Sequence, residues 1–593
     1  MTRQTRNPVQ RLWLFLLLLS LALPQAAWPQ NGPLQRLFTD YYEFHLREDP
    51  SLATFVGRSD YNDRWDDPSP EHLAERRQGL QRLLRRLTAI RETTLRGQNR
   101  LSYRLLDWQL RQEIQEIETV STYNAVSHMV GGHLAVFSTM AVAPAATVKD
   151  YENQVARLRA LPRWVDQTIA AASHAIDERK IQPRLVAERV TGQLDLEMEP
   201  DAAHSPLLKA FRNFPASIPA AEQERLSTAA ADAYTGAFQP AWHKLRDYVA
   251  GPYRSAARET LGVTQIPGGP AMYAFLVKRM TTTGYTPEQI HEIGLKEVAR
   301  IQREMAAIRT ELNFTGSAEE FSNQVLNAPR FRFHSEEEIL MHARDIAKRI
   351  DPELPRLFKT LPRTPYGVSP LPPDRARTSP PYYEEPALDG SRAGYFYLRT
   401  ADPENESSCC TEATILHESV PGHHLQIALA HEIEGVPEFR KIAAFTAYVE
   451  GWALYAETLG AALNMYETPY EKYGQLQSEL FRAGRLVVDT GIHTKGWSRE
   501  QAIDYLYGSG ADPSREFMAS EVDRYIAWPG QALAYKIGQL KIQELRTAAQ
   551  KQWGARFDVR EFHDVVLRNG ALPLDILEEQ VRAWIAQAVA RAR

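Results

Sequence analysis

His417-Glu418-Ser419-Val420-Pro421-Gly422-His423-His424 is the stretch from which the rest of the chain is read. Imidazoles bind a borderline cation such as zinc, and a carboxylate beside the first imidazole can take a proton from a water polarised by that cation. The familiar H-E-x-x-H arrangement sets two histidines four apart on one helical face, with the glutamate as base. Here the second histidine follows six or seven positions after the first. At about 100° per residue, six positions turn a side chain to the opposite face, and seven bring it back roughly 10 Å further along the axis. A straight helix therefore offers no compact site. Pro421 lacks an N–H, and its ring collides with the carbonyl four residues back, that of His417. A kink or π-type bulge is expected there, with Gly422 adding freedom. If the two extra residues loop out, His423 falls where the second histidine of H-E-x-x-H stands. His417 and His423 are then the candidate metal ligands and Glu418 the candidate general base, with His424 as the alternative ligand.

A His-Glu pair alone says little. His291-Glu292 and His431-Glu432 are two more, each in a stretch that reads as an ordinary solvated helix. A third ligand must come from elsewhere, and Tyr448-Val449-Glu450-Gly451-Trp452-Ala453-Leu454-Tyr455-Ala456-Glu457 supplies it. Three-and-four spacing sets Glu450 among Ala447, Ala453 and Leu454, with Thr446 its only uncharged polar neighbour. A carboxylate in such company is usually paired or bound to a metal. A catalytic His₂Glu zinc site needs one carboxylate beyond its histidines, which makes Glu450 the candidate. Glu457, seven positions on and on the same face, is the candidate partner for a ligand histidine's other ring nitrogen. Further along, His493, Tyr525 and Tyr535 are candidates to donate to an oxyanion.

The rest of the chain sets the frame. At 593 residues, 44% hydrophobic and 24% charged, it has the make-up of a globular protein with more than one core or one large two-lobed body. A net charge of −5 carries no nucleic-acid signature. Two adjacent cysteines, Cys409-Cys410, exclude a disulfide framework and read as small packed residues. Residues 1–27 read as a signal peptide: Arg3, Arg6 and Arg11, then an apolar run from Leu12 to Leu23 broken only by Ser20, then Pro24-Gln25-Ala26-Ala27. The run is short for a membrane span and contains no cysteine for lipid attachment, so a periplasmic or secreted protein is expected, with an uncleaved anchor as the rival. No later run is apolar enough to cross a bilayer.

Most of the chain reads as helix. Ser69-Pro70-Glu71, Thr286-Pro287-Glu288-Gln289 and Ser335-Glu336-Glu337-Glu338 are helix starts, the second launching a helix through Glu311. Gly131-Gly132 and Ala141 to Ala146 are expected to interrupt the helices as loop. The Gly/Pro-rich joint from Tyr248 to Tyr273 divides an N-terminal helical lobe (34–260) from a catalytic lobe (261–593). Eight prolines between 362 and 386 exclude helix and predict an extended loop. Ala393 to Leu398 is the best strand, read either as a free edge for an extended peptide or as part of a small structural sheet. One helix is expected from Thr411 to Glu434 and another from Pro437 to Asn464.

Taken together, the His417-to-His423 motif, Tyr448 to Glu457, Arg485 to His493 and Pro529-Gly530-Gln531-Ala532 resemble bacterial proteins of the domain-of-unknown-function 885 family over about Leu34 to Ile585. That resemblance implies a largely helical protein with a deep cleft and a metal site, and favours His423 over His424. The order His417, Glu418, His423, Glu450, His493, Tyr535 is more loosely similar to helical zinc peptidases of the neurolysin and carboxypeptidase Taq type. It implies a mainly α, two-lobed metallopeptidase-like fold with a small β-sheet near the site, one zinc per chain and a short peptide as substrate. A metal-dependent amidase on a small non-peptide amide and a non-catalytic metal- or solute-binding protein are the competing readings.

Overall fold

The structure is a computed structural model that describes residues 32–591 other than 327, 373–379, 391, 410 and 512–513. The expected signal peptide and Cys410 lie outside the described residues; Cys409 is buried. The fold is mainly α, with a single small three-stranded sheet among the described residues. No described helix is long and apolar enough to cross a membrane.

The helix starts form as their capping chemistry requires. The Ser69 hydroxyl accepts from the His72 N–H at the head of Pro70–Thr88. Ser335 does the same for Glu338 at the head of Glu336–Ile350. Thr286 and Gln289 make a reciprocal capping box that opens α1, Pro287–Glu311. Six further helices build the site: α2 (Glu412–Glu418), α3 (His423–His431), α4 (Thr446–Glu457), α5 (Pro469–Lys495), α6 (Arg515–Ala527) and α7 (Ala534–Trp553). Helix α1 lies along α5 so closely that a methyl on Gly294 would press into Leu486 and Val487.

Two buried cores organise these helices. One joins N-terminal residues such as Leu37 and Leu105 to Trp452, Leu486 and Ile537. The other joins Leu158 and Trp242 to Ile301, Leu480, Val488 and Tyr525. Each core thus draws from both sides of the Tyr248-to-Tyr273 joint, and α5 contributes to both.

Several local expectations are corrected. The expected loop is present at 143–146, but Gly132, Ala141 and Val142 belong to a helix, Gly132–Val142. Gly131 caps it in an extended conformation, and Gly132 lies where a side chain would collide with the Trp164 ring. The stretch from Pro437 is two helices, Glu438–Lys441 and α4, because the chain is extended at Phe445, whose ring meets Trp108 edge-on at 5.0 Å. The proline-rich segment holds two short strands, β1 (Tyr366–Pro370) and β2 (Tyr382–Glu384). Both pair with β3 (Gly394–Leu398), β1 in parallel and β2 antiparallel. β3 is therefore the central strand and has no free edge for a peptide.

Candidate metal centre

The expected single bent helix from Thr411 to Glu434 is two helices. Helix α2 ends at Glu418, and α3 begins at His423, separated by a four-residue break containing a cis Val420–Pro421 bond. The break is held from two sides. The Trp452 indole N–H donates to the Pro421 carbonyl at 2.8 Å. Gly422 backs onto the end of α2, where any Cβ would fall inside the radius of the His417 carbonyl oxygen. The turn thus sets the last residues of α2 and the first of α3 side by side.

His417 on α2, His423 on α3 and Glu450 on α4 consequently meet. Their ligand atoms all lie within 4.8 Å of one another, and this is the one such cluster among the described residues. Nε2 of His417 is 3.5 Å and Nε2 of His423 is 3.4 Å from Oε2 of Glu450. That Oε2 is buried and accepts no hydrogen bond. A tetrahedral zinc at about 2.1 Å from each ligand places neighbouring ligand atoms about 3.4 Å apart. The donor set, the spacing and the orphaned carboxylate oxygen all fit such an ion.

The surroundings aim the two imidazoles. Nδ1 of His417 lies 2.8 Å from Oε1 of Glu457, a residue with no exposed surface. The amide of Gln426 lies 3.1 Å from Nδ1 of His423. Burial opposes a charge on His417, but the carboxylates of Glu450 and Glu457 override it and raise the imidazole to about 9. Burial likewise works against an ionised Glu450, yet the two imidazoles hold it well below the usual carboxylate range. Glu418 is raised by burial, which makes it the more basic of the two.

His417, Glu418, His423, Glu450 and Tyr535 line one cavity of about 540 Å³. The sheet closes one side of it through Tyr382, Tyr383, Phe396 and Leu398. Tyr535 stands at the head of α7, its ring stacked 6.4 Å from that of His417. Its hydroxyl receives hydrogen bonds from Arg524 at 3.1 Å and Gln531 at 3.4 Å. Both neighbours donate, so the phenol's own proton is left to donate into the cavity.

The remaining sequence candidates are placed elsewhere. His424 spends both nitrogens, one on the Tyr383 hydroxyl at 2.8 Å and one on the Thr364 carbonyl at 3.1 Å. Burial lowers it to about 4. His493 is fully buried away from the cavity: its Nδ1 accepts from the Val263 N–H at 3.1 Å, and its Nε2 donates to the Tyr525 carbonyl at 3.0 Å. No ring nitrogen is left for an oxyanion. The Tyr525 hydroxyl donates to Glu521 at 2.8 Å and accepts from Nε of Arg485 at 3.0 Å, so it positions an arginine rather than facing the cavity. Of the other His-Glu pairs, His291 is buried against the Thr490 hydroxyl at 2.8 Å and is not solvated. Arg482, Arg485 and Arg524 line the cavity; the sequence marks their two segments as a source of donors, but His493, Tyr525 and Tyr535 are the candidates drawn from them. The signal that could have found Arg482 and Arg485 is two arginines three apart on one helical face within the apolar stretch from Phe481 to Val488.

The fold and site define a helical protein with a His₂Glu cluster in a cleft. The chain belongs to the family of bacterial proteins of unknown function designated DUF885, whose profile matches residues 50–581. No match is found among curated proteins. A solved structure from Colwellia psychrerythraea, described as a candidate lipoprotein, is 28% identical at a TM-score of 0.88, covering 94% of this chain and 100% of that one. A candidate lipoprotein of unknown function from Shewanella oneidensis is 18% identical at a TM-score of 0.72, covering 92% and 99%. Trypanosoma cruzi metallocarboxypeptidase 1, at 12% identity and a TM-score of 0.37 over 92% and 95%, is too distant to carry fold or function across.

Proposed function

We propose that the chain is a zinc-dependent hydrolase of short peptides that works outside the cytoplasm. The observation that carries this reading is the convergence of two imidazole nitrogens on an orphaned, buried Glu450 oxygen, with Glu418 beside them in the same cavity. His417, His423 and Glu450 would hold the ion, one per chain. Zinc so held supplies Lewis acidity to a water and to the scissile carbonyl. Glu418, made more basic by burial, takes the water's proton and passes it to the leaving amine. Tyr535 donates its free hydroxyl proton to the oxyanion, and Arg524 and Gln531 hold that hydroxyl in place. A cavity of about 540 Å³ suits a ligand of a few residues. The extracytoplasmic placement is supported by the N-terminal basic and apolar pattern, and by the description of both similar solved structures as candidate lipoproteins.

The test is metal content and turnover together. Elemental analysis should find about one zinc in the wild type and little in His423→Ala. Glu418→Gln should keep the zinc and lose turnover of a short-peptide panel. Zinc retained by His423→Ala would overturn the ligand set. Turnover retained by Glu418→Gln would remove that residue from the chemistry. Cleavage of small acyl-amides but of no peptide would move the substrate to a non-peptide amide.

A further inference from the structure

Helix α5 turns one face to the cavity. Gly474, Gln477, Ser478, Phe481, Arg482 and Arg485 all line it, and their spacing of three and one is a single helical stripe. Two guanidiniums end that stripe, and α6 brings a third, Arg524.

Glu521 is the one carboxylate that answers them among the described residues, 2.8 Å from Nη2 of Arg485 and 3.5 Å from Nη1 of Arg524. Arg485 is 4% exposed, and its guanidinium is held between the rings of Phe481 at 4.3 Å and Tyr535 at 4.6 Å. Tyr525 and Glu521 take its Nε and Nη2, and its buried Nη1 has no partner. Arg482 gives Nη1 to the Ser478 hydroxyl at 2.7 Å, keeps a buried Nε without a partner, and makes no ion pair among the described residues. Buried N–H groups left unpaired on a cation are costly unless a ligand satisfies them. A planar guanidinium fork is the natural receptor for a carboxylate.

We propose that Arg482 and Arg485 form a subsite for a substrate carboxylate beside the His417–His423–Glu450 cluster. This rests on the hydrolase reading and names its substrates: peptides whose terminal carboxylate sits next to the bond that is cut, released one residue at a time from that end. An acidic side chain carries the same chemistry, and the experiment separates the two sources.

The test is isothermal titration of the full-length protein, with zinc supplied, using three probes. These are N-acetylphenylalanine, its carboxamide, and N-acetylisoglutamine, whose only carboxylate is on the side chain. N-acetylphenylalanine should bind at least about tenfold more tightly than its amide, the scale of one charge-assisted pair. Arg482→Gln should erase most of that difference while leaving the amide's affinity unchanged. Equal binding of acid and amide to the wild type would overturn the proposal, and that comparison stands even if the variant does not fold. An acid preference that survives Arg482→Gln would place the carboxylate on the metal and also overturn it. Tighter binding of N-acetylisoglutamine than of N-acetylphenylalanine would keep the subsite but overturn the terminal-residue assignment. None of these arms needs turnover, so a failure to cut any peptide would end the hydrolase reading while leaving the carboxylate preference measurable.

Discussion

Oε1 of Glu457 lies 2.8 Å from Nδ1 of His417, and Glu457 has no exposed surface. A buried carboxylate on the far nitrogen fixes the ring's rotation and leaves Nε2 aimed at Glu450. Glu457→Gln keeps an acceptor but removes the charge, and should weaken zinc binding by about 10- to 100-fold. Competition with a chelator of known affinity checks this, with circular dichroism confirming that the helices persist. An unchanged affinity would make Glu457 a packing residue only.

His424→Ala should retain a full complement of zinc, in contrast to His423→Ala. Both nitrogens of His424 are spent on Tyr383 and Thr364, so neither is left for a metal. The variant should instead lose about 1–3 kcal/mol of stability through the partners it leaves unpaired. Metal analysis and thermal unfolding on one preparation read both effects.

Tyr535→Phe should lower kcat by about 10²- to 10³-fold with zinc content intact, the usual loss for one oxyanion donor. His493→Gln should not reproduce that kinetic signature, because His493 sits outside the cavity between Val263 and Tyr525. A Tyr535→Phe protein with wild-type kcat would take the phenol out of the mechanism.

Helices α4 and α7 cross backbone to backbone at Gly451 and Gly538, where a methyl on Gly538 would run into the Ala447 carbonyl. Gly538→Ala should cost at least about 3 kcal/mol, the upper end of overpacking, because backbone must move. It should also reduce zinc occupancy, since α4 carries Glu450. Gly192→Ala, at an exposed mid-helix position with open space around it, should instead stabilise by about 0.5–1 kcal/mol. Denaturant unfolding of the two variants measures the contrast.

Asp489 is fully buried and accepts from the Tyr273 hydroxyl at 2.6 Å and the Gly530 N–H at 3.0 Å. Burial raises its carboxyl from an ordinary 3.8 to about 7. The native state therefore holds the proton over a range where the unfolded chain has released it. Stability from this group is full below about pH 4 and is lost as pH rises through about 7. Asp489→Asn keeps an acceptor and cannot ionise. Its Tm relative to wild type should therefore rise between pH 5 and pH 8, and a flat difference over that range would show that Asp489 does not titrate there.

The convergence of His417, His423 and Glu450 was legible because its signals are local. A proline and a glycine between two histidines announce a break, and a glutamate with small apolar neighbours announces a buried carboxylate. The helix starts at Ser69, Thr286 and Ser335 were legible for the same reason: a cap and its partner lie within one turn. What sequence could not supply is where a side chain's second hydrogen bond goes. His493 and Tyr525 have suitable chemistry, and only long-range packing spends it, on Val263 in one case and on Arg485 in the other. The strands of the proline-rich stretch were hidden because β1 and β2 exist only through pairing with β3. The break after Glu418 was foreseen as a bend, but the number of residues it would exclude from helix depends on Trp452, which arrives from another helix.

Helix α5 belongs to both hydrophobic cores, with Leu486 in one and Leu480 and Val488 in the other. Its cavity-facing stripe is therefore anchored along its length from two sides. Any ligand preference set by that stripe is hard to change by sliding or tilting the helix, since either motion would disturb both interiors at once. It is easy to change by exchanging side chains at Gln477, Ser478 or Arg482, which border the cavity. Relatives with this backbone can thus diverge along the cavity wall while the frame that carries His417, His423 and Glu450 stays still.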